Sequence, residues 1–280
     1  MSLENLPENG SDRMGREQDL GALVLERMWA HRSRRAFGEG DVPDEVLESC
    51  VEAAQRASTS SFLQPYSVVA VRAAERKEQI YELCSKQQMI LDAPLFCGIC
   101  VDFYRAERAC LDLGGELAPV ELETLMIGAI DASLFAQNLM LAFEAQGYGG
   151  CFVGAARNHP AELAKVLGLP PRVFVLFGLV MGRPSDDPMP MPRLPVQAVL
   201  HREQYDQEGV SAWLDSFDQQ MRAFARRLNL ELEAKGQPKV NEKRGFRDRL
   251  AFRLSKDRKP SPRDQLAEQL HRLGLVEGKG

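Results

Sequence analysis

The sequence predicts an α+β fold, a sheet covered by helices on both faces. Three observations carry that prediction. Helical patterns come first, and strand-like apolar runs follow, each separated from the next by a helical stretch. Few of these runs follow one another directly, which excludes an all-β architecture. The 280 residues are 44% hydrophobic and 27% charged, an ordinary folded composition in a chain long enough to bury a core without metals or disulfides.

The elements follow in order. Residues 1–16 are polar and are expected to form a disordered leader, ahead of one domain over 17–280 with a core at about 17–205 and a helical extension at 206–280. Glu17 to Ala30 reads as a helix with Leu20, Leu23, Val24 and Met28 on one face. Pro43-Asp44 opens a second helix, Glu45 to Ala57. Tyr66 to Val71 and Leu95 to Asp102 are strands, with helical stretches at Ala74 to Lys86 and Ile90 to Ala93 between them. Tyr104 to Pro119 reads as irregular. Leu122 to Gln146 is apolar on most sides and should be a central buried helix. After the short run Cys151 to Gly154, a helix from His159-Pro160 to Leu167 precedes the strongest strand, Arg172 to Gly182. Five prolines between Pro184 and Pro195 exclude regular structure there. Beyond Gln204 the chain is charged and mostly helical, with a basic stretch from Lys243 to Arg263.

The formal net charge of -5 argues against bulk nucleic-acid binding. No stretch reaches the roughly 18 uninterrupted apolar residues of a membrane span, and the first residues lack the apolar core of a secretory signal. A cytoplasmic protein without membrane or nucleic-acid partners is expected. Six irregularly spaced cysteines suggest no disulfide framework. Cys97 and Cys100 form a CxxC, but inside a strand run, where residues three apart point to opposite faces. A structural role is expected for both.

Several segments could carry chemistry. His31-Arg32-Ser33-Arg34-Arg35 places three guanidiniums, an imidazole and a hydroxyl at a predicted helix end. Arginine forks fit phosphates and planar oxygen or nitrogen edges, although a solvated basic helix terminus has the same composition. Ser58 to Gln64 offers hydroxyls and an amide beside Phe62, or is a plain Ser-rich loop. Val153-Gly154-Ala155-Ala156 would let backbone approach a flat ligand, or would serve close packing. There is no P-loop, GxSxG or HExxH motif, and four scattered histidines give little support for a metal site.

Taken in order, five pieces resemble the nitroreductase family, in particular the oxygen-insensitive NADPH nitroreductases and related flavin reductases. They are His31 to Phe37, Ala57 to Gln64, Val153 to Asn158, Leu176 to Pro184 and Pro192 to Pro195, and the match spans His31 to Tyr205. The resemblance implies a mainly antiparallel sheet and a homodimer with FMN at the interface, each flavin held by both subunits. It also implies a C-terminal extension packing on the partner subunit. It places His31 and Arg32 at the FMN phosphate, Ser33 as a hydroxyl contact, and Arg35 near the flavin N1 and O2 edge. Ser60, Ser61, Gln64 and Gln87 fall beside the flavin, the backbone of Phe152, Val153, Gly154 and Ala155 along the ring, and Arg193 at the phosphate.

Two departures stand out. Met191 replaces a lysine of the subgroup, removing one phosphate charge contact, and Ala155 stands where a second glycine is usual. The implied activity is hydride transfer from NADPH or NADH through FMN to an electron-poor acceptor, in a ping-pong cycle with no side-chain base. Acceptors would be nitroaromatics, quinones or free flavin. The alternatives are a non-catalytic or regulatory flavin-binding protein, suggested by Met191, and an anion-binding protein using Lys243 to Arg263.

Overall fold

The computed structural model describes residues 10–275, with side chains from residue 20 onward. The predicted leader therefore lies outside the described residues as far as residue 9. Helix α1 (Gly10–Ala30) begins ahead of the predicted Glu17, because Arg13, Met14 and Arg16 are strong helix formers although the apolar stripe starts only at Leu20. The chain divides into two compact units, Met1–Pro188 with Pro262–Gly280, and Met189–Ser261. The first division falls in the proline-rich loop, ahead of the predicted boundary at 205, and the last residues return to the first unit.

Four strands, β1 (Tyr66–Val71), β2 (Leu95–Asp102), β3 (Gly149–Val153) and β4 (Val173–Gly182), form one sheet in the order β1-β2-β4-β3. Every neighbouring pair is antiparallel. Strand β2 is buried along its whole length, and its alternation shows why. Leu95, Cys97, Ile99 and Val101 pack with Phe135, Leu139 and Phe143 of helix α6 (Leu122–Ala145). Phe96 and Cys100 face the other way. They pack in a second cluster with Ile80 of α3 (Ala74–Leu83), Ile90 of α4 (Met89–Asp92) and Leu163 of α7 (Pro160–Leu167). A strand apolar on both faces requires cover on both faces, and the helices supply it. Helix α2 (Asp44–Ala54) lies beside α6.

Cys97 and Cys100 thus sit in different cores. Burial pushes each thiol up to about 12, which bears out the structural reading of the CxxC.

One prediction fails. Tyr104 onward, read as irregular, forms helix α5 (Tyr104–Asp112). None of its residues is buried, so no apolar stripe announces it. It is held instead by its start, where the Asp102 carboxylate accepts the Tyr104 amide at 3.0 Å, and by an Arg108–Asp112 ion pair one turn apart.

The second unit holds α8 (Val210–Ala234) and α9 (Phe246–Leu254), and the first unit ends with α10 (Leu266–Arg272). Asp218 of α8 caps α9, accepting the amides of Phe246 at 2.5 Å and Arg247 at 3.0 Å and the Arg247 guanidinium at 3.0 Å. Burial raises the Asp218 pKa, but these donors outweigh it and hold the carboxyl below its ordinary value. A depressed folded pKa stabilises above the unfolded value of about 3.9 and ceases to do so as pH falls through the folded value. The Phe246 and Arg247 amide proton shifts should therefore stay constant at neutral pH and move only below about pH 4. A midpoint above the ordinary carboxylate range would contradict this cap.

Candidate active site

After α1 the chain turns extended and runs along the edge of the sheet beside β3. The Arg34 amide donates to the Gly150 carbonyl at 2.8 Å, and Phe37 bridges Pro184. Extended backbone sends alternate side chains to opposite sides, and this splits the basic run. Ser33 and Arg35 both act on Cys151 of β3. Burial raises the Cys151 thiol pKa, and the Arg35 charge and a Ser33 hydrogen bond oppose it. Arg32 and Arg34 line a hollow of about 190 Å³ with Arg27, Glu144 and Tyr148.

Partners then distinguish the arginines. Arg34 is paired with Asp187 at 2.9 Å and donates to the Asp186 carbonyl. The Arg32 guanidinium turns to the Ala30 carbonyl, with exposed Asp187 4.0 Å from its Nε. Arg35 is exposed, its guanidinium 3.3 Å from the Ser33 carbonyl. His31 Nδ1 lies 2.6 Å from Glu144 Oε1 at the end of α6. Reading the five residues as one basic group missed this sorting. The acids Asp186 and Asp187 lie in a loop whose prolines drew attention away from them.

The end of β3 forms the neighbouring part. Val153 and Ala155 are buried, Phe152 is half-buried against Phe177, and Gly154 is half-buried. A Cβ at Gly154 would meet the Arg157 guanidinium at 3.6 Å and that of Arg263 at 3.7 Å. The glycine thus leaves a small cradle lined by two cations. Burial and the Arg263 charge both lower the Arg157 pKa. Asn158 accepts from Arg263 Nε at 3.0 Å and donates to the Ser85 hydroxyl at 2.8 Å. It so ties this turn to the one carrying Gln87, whose amide donates to the Cys84 carbonyl at 3.1 Å. Arg157 stood inside a quoted motif without being singled out. Arg263 was counted only in the basic stretch, because nothing in the spacing signals its return to the first unit.

Ser60, Ser61 and Gln64 lie elsewhere. They belong to a turn in which Ser61, Phe62 and Gln64 have φ of 49°, 57° and 51°. Each left-handed non-glycine residue costs about 1–2 kcal/mol. Fully buried Asp131 of α6 accepts the Ser60 amide on both oxygens, at 3.1 and 3.3 Å. Asp131 and Glu144 mark the two clusters along α6, and at 1.5 Å per residue they are about 20 Å apart. One chain therefore does not bring its Ser60–Gln64 loop to its own His31–Arg35 segment. Next to the loop, Tyr66, Phe135, Gln64 and Arg105 line a cavity of about 590 Å³. Arg193 belongs to the second unit and turns back on the carbonyls of Met191 and Pro192. No group of residues able to hold a metal occurs among the described residues.

The first cluster fits FMN by the chemistry of its donors. It combines a histidine, a hydroxyl, an exposed guanidinium and a cationic cradle at a glycine. An anionic, flat molecule with a hydrogen-bonding edge matches that set.

Comparisons with known proteins agree. The description "Nitroreductase family" matches residues 29–108 and 121–183, and "Nitroreductase family, C-terminal domain" matches residues 191–277. A Cr(VI) reductase of Pseudomonas sp. (strain G-1) is 36% identical over 202 residues, 72% of this chain and 83% of that one. An FMN reductase [NAD(P)H] of Bacillus subtilis (strain 168) is 37% identical over 204 residues, 72% of this chain and 82% of its own length. The structure of B. megaterium NfrA1 superposes with a TM-score of 0.81 at 30% identity, covering 91% of this chain and 99% of that one. By sequence and by fold alike, the chain belongs to the nitroreductase family.

Proposed function

We propose that the protein is an FMN-dependent oxidoreductase that takes hydride from NADPH or NADH and passes it to electron-poor acceptors such as nitroaromatics, quinones or free flavin. The observation that carries this reading is the exposed Arg35 near Ser33 in the extended segment beside edge strand β3, which ends at the Gly154 cradle. Bound FMN supplies the redox chemistry, accepting hydride from the nicotinamide and delivering it to the acceptor. His31 and Arg32 would hold the phosphate. Met191 offers no charge in place of the subgroup's lysine, which leaves the phosphate grip to His31 and Arg32. Arg35 steadies negative charge at the N1 and O2 edge. The backbone of Phe152 to Ala155 would lie along the ring, with Gln87 beside it. In this reading hydride transfer requires no side-chain base, and one cleft serves donor and acceptor in turn. The relatives compared are named as reductases, which gives no support to a non-catalytic flavin binder.

The same reading makes the protein a homodimer. Leu122, Met126, Ile130 and Leu134 form a stripe along α6 with exposures of 66, 49, 53 and 45%. A stripe at four-residue spacing that no element covers among the described residues fits a second copy. Two-fold pairing of α6 brings the Ser60–Gln64 loop of one protomer toward the His31–Arg35 segment of its partner. The roughly 20 Å between them in one chain then becomes the arrangement of a shared site. Helices α8 and α9 of the extension add to the contact with the partner.

An absorbance spectrum after FMN reconstitution tests the reading, followed by anaerobic addition of NADPH and then NADH. Flavin bands that bleach are expected, and a colourless protein sinks it. Arg35→Ala should slow flavin reduction roughly 100-fold, the loss seen when a single preorganised donor is removed. An unchanged rate removes Arg35 from this role.

A further inference from the structure

We propose that Asp131 is a positioning residue, which together with Arg105 locks the strained Ser60–Gln64 loop in the shape that meets the flavin. The inference rests on the flavin reading above. Three left-handed residues without a glycine persist only where the surroundings over-determine them, and both ends of this loop are held. At the first end, the carboxylate of Asp131, 1% exposed, accepts the Ser60 amide on both oxygens. A buried carboxylate is expensive to keep, and among the described residues the Ser60 amide is its hydrogen-bond donor. At the second end, Arg105 donates to the carbonyls of Gln64 and Tyr66 at 2.9 and 2.6 Å and to the Ser67 hydroxyl at 2.9 Å. Arg105 is itself paired with buried Asp102 at 3.3 Å. Between the two ends, Ser61 and Phe62 stand exposed. The clamps touch backbone and leave the side chains of Ser60, Ser61 and Gln64 available to a ligand. That is the arrangement expected of a preorganised contact loop and not of a plain connection.

The test compares full-length wild type with Asp131→Ala and Asp131→Asn by three readouts. These are FMN affinity from quenching of flavin fluorescence, the visible circular dichroism of the bound flavin, and hydrogen exchange across residues 58–65. Asp131→Ala should lose protection at Ser60, weaken FMN by about ten-fold or more, and alter the flavin dichroism, which a general loss of stability does not do. Asp131→Asn keeps an acceptor oxygen and should recover most of the affinity. Wild-type affinity and dichroism in Asp131→Ala overturn the proposal, as does a loss in Asp131→Asn equal to that in Asp131→Ala. If the Asp131 variants do not fold, Arg105→Ala must show the same loosening and the same dichroism change, and wild-type behaviour there overturns the proposal. Wild-type protein that binds no FMN is a separate result, which overturns the flavin reading and this inference with it.

Discussion

Ile130→Asp is expected to yield a monomer that no longer retains FMN. Ile130 sits in the middle of the exposed stripe on α6, 53% exposed in the single chain. Covering such a side chain contributes about 1.5–3 kcal/mol, and two-fold symmetry counts each position twice. An aspartate reverses the sign, because two carboxylates would be buried without partners. Under the proposed division of the site between protomers, separation leaves each half with too few contacts to hold the flavin. Sedimentation gives the oligomeric state, and absorbance after gel filtration gives the retained flavin. A dimer with full flavin would show that α6 is not the interface. A monomer that keeps its flavin would show that one chain builds the whole site.

Gly178→Ala should be among the most damaging single substitutions in the sheet. A Cβ there would lie 2.4 and 2.5 Å from two ring atoms of Phe96 and 3.2 Å from Val153. Phe96 is fully buried, and its ring is packed in the second core cluster with nowhere to move. The cost of such overpacking is about 3 kcal/mol, a fall in Tm on the order of 10 °C. Thermal unfolding followed by circular dichroism measures it. Gly168→Ala is the comparison. Nothing lies within 4 Å of its added Cβ, and its φ of +63° is the only obstacle, so a loss nearer 1 kcal/mol is expected. Equal losses would mean that backbone conformation, not the Phe96 contact, sets the penalty at Gly178.

The sheet was legible because its strands are apolar on both faces. Leu95 to Asp102 and Val173 to Gly182 stand out as continuous runs, and covered strands of that kind need nothing else to identify them. Helix α6 was legible for the same reason. Helix α5 was not, because it buries none of its residues and its stability comes from a cap and an ion pair. Within the site, local segments could be read and their wiring could not. The Ser-rich loop is visible in the sequence. The left-handed turns at Ser61, Phe62 and Gln64 are not, since none of these residues announces a positive φ as a glycine would. Asp131 and Glu144 reach their partners across 71 and 113 positions, separations at which sequence pattern carries no signal. The division of His31 to Arg35 into two sides could have been seen, had the segment been read as extended chain with period two instead of as a helix terminus.

The burial of the cysteines has a consequence for a protein that handles electrons. Cys84, Cys97 and Cys100 have thiols pushed up to about 12, and burial also raises Cys50 and Cys151. A thiol titrating near 12 is ionised in only about one molecule in a hundred thousand at neutral pH, and the thiolate is the form that oxidants attack. These five thiols are insulated from the current that passes through the chain, while Cys110 on α5 is only half-buried. Reactive oxygen formed at a reduced flavin would find these five thiols closed.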